Sequence, residues 1–353
     1  MAHENNIERI QKLTMLREIV TNYSHQKHKS HFLPPNHKRY EWHNKFCHIK
    51  PMAWDNPLEI PYVAATSLID AYSLLPGRPD IAFNSLWSAI NSSYNNLYLS
   101  NHSNPGKQIT DTKGIDYSVA RIKQYIHEQI PVNQSASPQH SVTIFKTIKE
   151  YIKQASDKNF NFVATYILKG IAVENHNSNN PESAVRDIFI PSIYNTIKSK
   201  FPELYNKISL STGAKYSDIC SISETECKTD IDYGIPNNKA DNSRKLIHAT
   251  GKLIRQEILA FQPLSEHSNV IFKDEAAWLS FIIRTLLYAT RNIAAHGNAA
   301  TRLNSIFSNG ESITSSSWTF LFGYCYFSLI LLCQGKLSIA DLSPIYSNSQ
   351  IRL

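Results

Sequence analysis

A run of sixteen residues without a charge, "WTFLFGYCYFSLILLC" at residues 318–333, restricts the fold of this chain more than any other feature. A segment this apolar has to be buried in protein or in lipid, because its exposure to water is unfavourable. The run is slightly shorter than the 18 or more apolar residues typical of a membrane-spanning helix. It therefore predicts a buried core helix at about 316–334 and no membrane partner.

Apolar residues recur at the three-and-four spacing of amphipathic helices along most of the chain. They predict further helices at 7–20, 62–75, 81–99, 117–130, 141–154, 160–172, 183–200, 243–261, 274–296 and 299–307. Turn-forming residues predict loops at 101–114 and 202–242. Because no sustained alternation indicates strands, the predicted fold class is mostly α, a helical bundle with inserted loop-rich and helical segments.

Charge and cysteine usage indicate the setting. The net charge of +7 and the isoelectric point near 9.0 favour an anionic partner such as nucleic acid. The five cysteines form no CxxC pair, which fits reduced thiols. The N-terminal residues carry charges throughout and lack the apolar core of a signal peptide. We therefore expect a cytoplasmic protein.

The stretch "ATRNIAAHGN", residues 289–298, follows the apolar segment "DEAAWLSFIIRTLLY" at 274–288. It contains the pattern Arg-Asn-x-x-x-His-Gly, formed by Arg291, Asn292, His296 and Gly297. This pattern at the end of an apolar helix resembles the motif of the HEPN superfamily, whose nuclease members are α-helical. The helix "FNSLWSAINSSYN" is also similar to an early helix of such domains. The resemblance covers 81–98 and 274–335, and it is most specific at 291–297.

The resemblance implies a metal-independent endoribonuclease that needs no cofactor. RNA supplies its own nucleophile, the 2′-hydroxyl, and attack on the adjacent phosphate leaves a 2′,3′-cyclic phosphate. His296 can exchange protons near neutral pH, Arg291 can bind two phosphate oxygens, and Asn292 can orient either partner. The residues expected to support this site are Arg284, Tyr288 and Asn298. Arg284 precedes Arg291 by two turns, on nearly the same face of an α-helix.

The helix geometry raises the question of how these side chains meet. On an ideal α-helix Asn292 and His296 are about 40° apart, but Arg291 and His296 are about 140° apart. Either the helix end bends at Gly297, or two motifs meet across a symmetric dimer. HEPN nucleases resemble the second case, because their sites are typically composite. The resemblance also implies a toxin or anti-phage defence effector, with an antitoxin or a defence complex as a further partner.

Other functions remain open on the sequence alone. Arginine and histidine at a helix C-terminus also stabilise the helix dipole and cap carbonyl groups, without any catalysis. The same surface could belong to a non-catalytic helical module that binds RNA, a nucleotide or a protein. A structural subunit of a defence complex is the third alternative.

The segment 22–57 is rich in histidine, lysine and aromatic residues. Its histidine spacings match no familiar zinc finger, and no metal site is assigned. The segment could bind RNA through phosphate contacts and base stacking. The residues assigned to this role are Lys27, Lys29, Lys38, Arg39, Tyr40 and Trp42. A solvated arm with buried aromatic rings is an equal alternative.

The predicted domain organisation has three parts. Residues 1–57 form an N-terminal helix and the basic aromatic arm, and 58–340 form the HEPN-like helical domain. This domain contains an insertion at about 101–270. Residues 341–353 form a C-terminal tail.

Overall fold

The computed structural model of the chain describes residues 14, 50, 61–102, 109–132, 140–179, 192–224, 231–263, 271–295 and 310–351. Within these residues the fold is mostly helical, as the sequence predicted. The predicted helices at 7–20 and 299–307 and the basic arm lie outside the described residues, apart from single positions.

The α-helices of the described residues succeed one another along the chain with few long gaps between them. They are α1 (Tyr62–Ser73), α2 (Pro79–Leu99), α3 (Asp111–Ile122), α4 (Ile144–Gln154), α5 (Asp157–Asn179), α6 (Ser192–Lys200), α7 (Pro202–Ile208), α8 (Ala214–Ser217), α9 (Ala240–Ala260), α10 (Glu275–Ile282), α11 (Ala289–Ala295), α12 (Gly310–Cys333) and α13 (Ser343–Asn348). Two π-helical turns lie between helices, at Ser209–Gly213 and Ile283–Tyr288. Three short 3-10 turns complete the described helical elements, at Lys123–Tyr125, Asn237–Lys239 and Ala340–Leu342.

Two short hairpins accompany the helices. Strand β1 (Gln129–Val132) pairs with β2 (His140–Thr143), and β3 (Ser221–Glu224) pairs with β4 (Ile231–Gly234). The second pair is antiparallel, in a register that aligns Ser221 with Gly234 and Glu224 with Ile231. With four residues each, these strands are too short to show a clear alternation in the sequence.

Several predictions about helix and loop positions were wrong in part. Strand β2 replaces the first residues of the helix expected at 141–154, and α3 begins inside the loop expected at 101–114. The helix expected at 117–130 begins at Asp111 and ends at Ile122, and strand β1 occupies its expected end. The side chain of Thr110 caps the helix by accepting a hydrogen bond from the backbone N–H of Lys113 at 3.4 Å, a role that threonine often fills.

The loop expected at 202–242 was also wrong in part, because α7, a π turn, α8 and the second hairpin occupy much of it. Pro202 stands in the first turn of α7, where the missing N–H of proline costs no hydrogen bond. In this segment a residue type that often forms turns, proline, instead begins a helix.

The chain divides into two compact units. The described part of unit 1 comprises 14, 50, 61–93, 130–132, 140–141, 291–295 and 310–351. The described part of unit 2 comprises 94–102, 109–129, 142–179, 192–224, 231–263 and 271–290. Unit 1 is thus assembled from segments that are distant in the sequence.

Helix α12 forms the centre of unit 1. Every residue from Ser315 to Cys333 is buried, which confirms the predicted core helix. By length and composition α12 could cross a membrane, but its most apolar 18-residue window has a mean hydropathy of 1.4 and is 100% buried in the protein. This burial favours a core helix over a membrane span.

Side chains from α1 and α2 hold α12 in place within unit 1. Gly323 allows α2 to approach, because a Cβ there would lie 2.8 Å from Cε2 of Phe83. The hydroxyls of Tyr72 and Tyr324 lie 2.7 Å apart. After the end of α12, the Gln334 amide donates to the Ser93 carbonyl at 2.7 Å. These contacts join residues more than 200 positions apart.

Unit 2 is built around α5, against which α9 and the segment 209–217 pack. An aromatic cluster fills one part of its core, with the Phe261 and Trp278 rings stacked at a centroid distance of 5.6 Å. The indole N–H of Trp278 donates to the Ile258 carbonyl at 2.9 Å, so the buried indole is satisfied. The hydroxyls of Thr212 and Thr250 form a buried pair at 2.7 Å.

Candidate functional site

The described residues contain the first part of the Arg-Asn-x-x-x-His pattern. Arg291 and Asn292 lie on α11, which is described to Ala295. His296 and Asn298 lie outside the described residues. The six residues assigned to RNA binding in the arm, at positions 27, 29, 38, 39, 40 and 42, also lie outside them.

A π-helical turn precedes the motif. After Asp274 caps α10 by accepting from the N–H of Ala277 at 2.8 Å, the regular helix changes at Ile283 into a π turn that ends at Tyr288. The Thr285 hydroxyl donates to the Phe281 carbonyl at 2.7 Å, and the Thr290 hydroxyl donates to the Leu286 carbonyl at 3.0 Å. Such side-chain bonds to carbonyls of the preceding turn compete with regular helix bonds.

The π turn corrects one geometric expectation. Because its hydrogen bonds span five residues instead of four, the helix carries about one extra residue there, equivalent to a rotation of about 100°. The segment between positions 284 and 291 is therefore not two regular α-helical turns. The expectation that Arg284 and Arg291 share nearly the same face of an α-helix was wrong.

Arg291 and Asn292 form a hydrogen-bonded pair. The guanidinium Nη1 donates to the Asn292 side-chain oxygen at 3.0 Å, and both residues are partly exposed. A neutral amide oxygen can orient a guanidinium without neutralising its positive charge. The sequence analysis expected Asn292 to orient a neighbouring group, and in the structure its side-chain oxygen accepts a hydrogen bond from Arg291.

Arg284 occupies a different environment, inside unit 2. Its side chain is only 6% exposed, whereas the Asp116 side chain beside it is 44% exposed. The guanidinium Nε donates to Asp116 Oδ1 at 3.1 Å, and Nη2 donates to the Thr112 carbonyl at 3.1 Å. Lys200 also contacts the Asp116 carboxylate, at 3.1 Å. The Arg284 guanidinium is thus engaged in joining α10 and the π turn to α3.

The electrostatics of this cluster follow from its composition. Partial burial alone raises the pKa of Asp116, but the hydrogen bonds and charges of Arg284 and Lys200 outweigh it. The net effect holds the pKa of that carboxyl below its ordinary value. A carboxylate that stays ionised and bound to two cations has a structural role in this fold. The sequence gives no signal for this cluster, since the partners of Asp116 are 168 and 84 positions away.

Tyr288, the other residue assigned a supporting role, is partly exposed at the last position of the π turn. Its side chain is therefore not part of the closed core that contains Leu286 and Leu287.

Sequence reasoning did not find a polar cavity on unit 2. It has a volume of about 310 Å³ and lies at the ends of α5 and α8, with Asn175, His176, Asp218 and Cys220 among its lining residues. The Asn175 amide donates to the Ser217 hydroxyl at 3.0 Å. Burial raises the pKa of the Cys220 thiol. A protonated thiol is a poor nucleophile, so the cavity is a weaker candidate for catalysis than the Arg291 segment.

Comparisons with models of protein families, with curated proteins and with solved structures found no match. The likeness to HEPN nucleases therefore rests on the residues of the 291–297 segment and its neighbouring helices.

Proposed function

We propose that the protein is a metal-independent endoribonuclease of the HEPN type, with Arg291, Asn292 and His296 as its catalytic residues. The observation that carries the proposal is the hydrogen bond between Arg291 Nη1 and Asn292 Oδ1 at 3.0 Å on a partly exposed helix end. The bond orients a permanent cation that can bind a phosphate, five positions before a histidine in the sequence. A basic chain of +7 net charge supports a polyanionic substrate.

The proposed reaction needs three groups. His296 accepts the proton of the 2′-hydroxyl, whose oxygen attacks the adjacent phosphorus and displaces the 5′-oxygen of the next nucleotide. Arg291 stabilises the negative charge on the phosphate during attack. The leaving oxygen takes a proton from a histidine or from water. The products carry a 2′,3′-cyclic phosphate and a 5′-hydroxyl.

The working unit in this proposal is a homodimer with a composite site. Residues Ala289–Ala295 are α-helical, and on an ideal α-helix the positions of Arg291 and His296 would be about 140° apart. A twofold axis next to the motif would supply a second arginine and a second histidine to the same phosphate. A toxin or anti-phage role, with an antitoxin or a defence complex as partner, belongs to the same proposal.

The decisive test incubates purified wild-type and His296→Ala protein with total RNA in EDTA. We expect the wild type to cut and the variant to lose at least about a hundredfold in rate, since general acid–base catalysis contributes on that order. The ends of the products should be 2′,3′-cyclic phosphate and 5′-hydroxyl. Arg78→Ala, which removes an arginine bound to Asp80 at 2.9 Å on unit 1, is a control for the loss of an unrelated ionic side chain.

Several results would contradict the proposal. Equal cleavage by a folded His296→Ala variant would remove the histidine from the mechanism. Loss of activity in EDTA or products with 5′-phosphates would indicate a metal nuclease. Binding of RNA without any cleavage would favour the non-catalytic module. A monomer that cleaves at full rate, measured by light scattering together with activity, would overturn the composite site.

A further inference from the structure

Helix α9 (Ala240–Ala260) is a long helix on unit 2 that is buried on one side only. That side of α9 buries Ser243, Thr250, Gly251, Ile254 and Ile258 as it packs against α5. The packing at Gly251 is close, because a Cβ there would lie 2.5 Å from Asn161 Oδ1 and 3.1 Å from the Asn161 backbone nitrogen. Helix α9 is therefore held closely against α5, and the side of α9 that does not face α5 is turned outward.

The outward side carries a line of basic residues, which we call the basic stripe. Its members are Arg244, Lys245, His248, Lys252 and Arg255. On a helix of 3.6 residues per turn these positions fall within an arc of about 100° and extend over about 16 Å. The first two and Lys252 are largely exposed, and His248 and Arg255 also reach the surface. Regular spacing on one face produces a linear array of positive charge.

Acidic residues beside the stripe engage its arginines but not its lysines. Asp241 pairs with Arg244 at 2.9 Å. Asp157 pairs with Arg255 at 3.1 Å and lies 4.0 Å from His248. Within the described part of the chain, Lys245 and Lys252 form no ion pair. Their charges are available to an external anion.

The neighbouring helix α4 adds little net positive charge to the stripe. Arg255 Nη2 donates to the backbone carbonyl of Lys153 on α4, which places the C-terminal turn of that helix beside α9. The Lys153 side chain is exposed and pairs with Glu150 at 2.6 Å. The excess of cations along this side of unit 2 thus comes mainly from α9 itself.

We propose that the basic stripe binds the phosphate backbone of RNA, as a contact surface additional to the Arg291 segment. A line of cations fits a linear polyanion, and such clusters along one helix face are typical of nucleic-acid binding. A membrane surface fits less well, because an interfacial helix inserts an apolar face, and the apolar face of α9 is buried in unit 2. The stripe as an RNA contact rests on the proposed function, which makes RNA the substrate.

The test measures RNA binding separately from cleavage. The parent protein is His296→Ala, and the probe is a short fluorescein-labelled single-stranded RNA followed by anisotropy at several salt concentrations. The slope of log K against log salt is negative, and each phosphate contact contributes about −0.7 to it on a single strand. Lys245→Ala together with Lys252→Ala should therefore make the slope less negative by about 1.4. Affinity near physiological salt should fall by about tenfold.

The matched control is Lys215→Ala together with Lys273→Ala. Both lysines are exposed on unit 2 and lie outside the stripe, so this pair removes the same net charge. The control should keep the parent's salt slope, and thermal unfolding should show that both double variants are folded. In the cleavage-competent protein the stripe variant should raise KM and leave kcat unchanged.

The outcomes distinguish failure of the stripe from failure of the proposed function. If the parent and the stripe variant bind RNA with the same affinity and salt slope, the RNA-binding role of the stripe is overturned and the proposed function is not. Equal losses of RNA affinity in the stripe variant and the control variant would have the same meaning. A parent that binds anionic vesicles of phosphatidylserine but not RNA would overturn the stripe in favour of a membrane surface, and it would also contradict the proposed function. Loss confined to the stripe variant would support the stripe.

Discussion

Arg284 and Arg291 show how one residue type meets different surroundings in two regions of the molecule. Arg284 is 6% exposed and bound to a carboxylate, whereas Arg291 is partly exposed and bound to a neutral amide. A buried cation needs an opposite charge and further hydrogen bonds, because its desolvation is costly. A cation that has to bind a substrate phosphate is better oriented by a neutral group. The surroundings of Arg284 therefore indicate a structural role, whereas the partial exposure of Arg291 is a condition of the catalytic role proposed for it.

The largest expected effect separates the two arginines by activity. Arg291→Ala should lower the rate of RNA cleavage by about 10² to 10³, because one group that stabilises transition-state charge is typically worth that much. The free energy of unfolding should change by less than about 0.5 kcal/mol, as for most partly exposed substitutions. Single-turnover cleavage and urea unfolding measure the two quantities.

Arg291→Lys is the control, since it keeps the charge but loses the planar guanidinium. We expect it to cleave at a rate between those of the wild type and Arg291→Ala. A folded Arg291→Ala protein with the wild-type rate would reduce Arg291 to a helix-capping residue.

The second effect concerns stability. Arg284→Ala should lower the free energy of unfolding by about 2 to 3 kcal/mol, less than the 3 to 5 kcal/mol typical of a fully buried pair, because Asp116 is half exposed. The folded fraction should still cleave RNA with the same products. Urea unfolding gives the first quantity, and end-group analysis of the products gives the second.

The opposite pattern would be equally informative. A stable Arg284→Ala protein that no longer cleaves would restore the supporting role that the sequence assigned to Arg284. Arg244→Ala, which removes an arginine with a 75% exposed side chain, shows the stability change expected of an arginine without a buried role.

A third effect tests the Arg291–Asn292 pair itself. Asn292→Ala should slow cleavage by about tenfold, equivalent to about 1.4 kcal/mol, since one hydrogen bond that orients Arg291 is lost. Asn292→Asp retains an acceptor but adds a negative charge that competes with the phosphate. We expect its rate to fall below that of Asn292→Ala. A wild-type rate in Asn292→Asp would show that the charge at Arg291 is not used.

The smallest effect is a pH dependence of stability at the Arg284 cluster. Because the pKa of Asp116 is lower in the folded state, its contribution is fully present above the unfolded value near 3.9 and is lost as the pH falls through the folded pKa. Solvent screening limits the size to less than about 1 kcal/mol. Between about pH 6 and about pH 3, Asp116→Asn should lose less unfolding free energy than the wild type.

Asp241→Asn is the control for the loss of a carboxylate, because the Asp241 side chain is 79% exposed. Its free energy of unfolding at neutral pH should stay within about 0.5 kcal/mol of the wild-type value, as for most exposed substitutions. Identical acid sensitivity in the wild type and Asp116→Asn would show that the Asp116 cluster does not stabilise the fold through its charge.

The sequence predicted the elements whose cause is local. Apolar spacing at Ile81, Leu86, Ile90 and Leu97 predicted α2, and the uncharged run at 318–333 predicted the buried α12. The Arg291–Asn292 pair could also be predicted from the sequence, because the two residues are adjacent. In each case neighbouring residues determine the structure, and a short window of sequence contains the necessary information.

The remaining features depend on residues that are far apart in the chain. Arg284 and Asp116 meet only when α3 packs against α10, and no spacing in the sequence relates them. The strands of the two hairpins form by pairing and lack a pattern of their own. The π turn at Ile283–Tyr288 interrupts an apolar run whose spacing predicts one uniform helix. The prediction that Arg284 and Arg291 share one face assumed a uniform α-helix, and the π turn invalidates that assumption.

The discontinuity of unit 1 has a consequence for its synthesis on the ribosome. Phe83 and Leu86 pack close to Gly323, and Ser93 accepts a hydrogen bond from Gln334, so α1 and α2 remain without their core until α12 has been translated. At about 5 to 20 residues per second, the intervening chain of more than 200 residues delays completion by roughly 10 to 40 s. Unit 2 is translated within this interval. The segment that carries Arg291 thus belongs to the part of the molecule that is completed second, and a nascent chain arrested before α12 would contain the arginine without the unit that supports it.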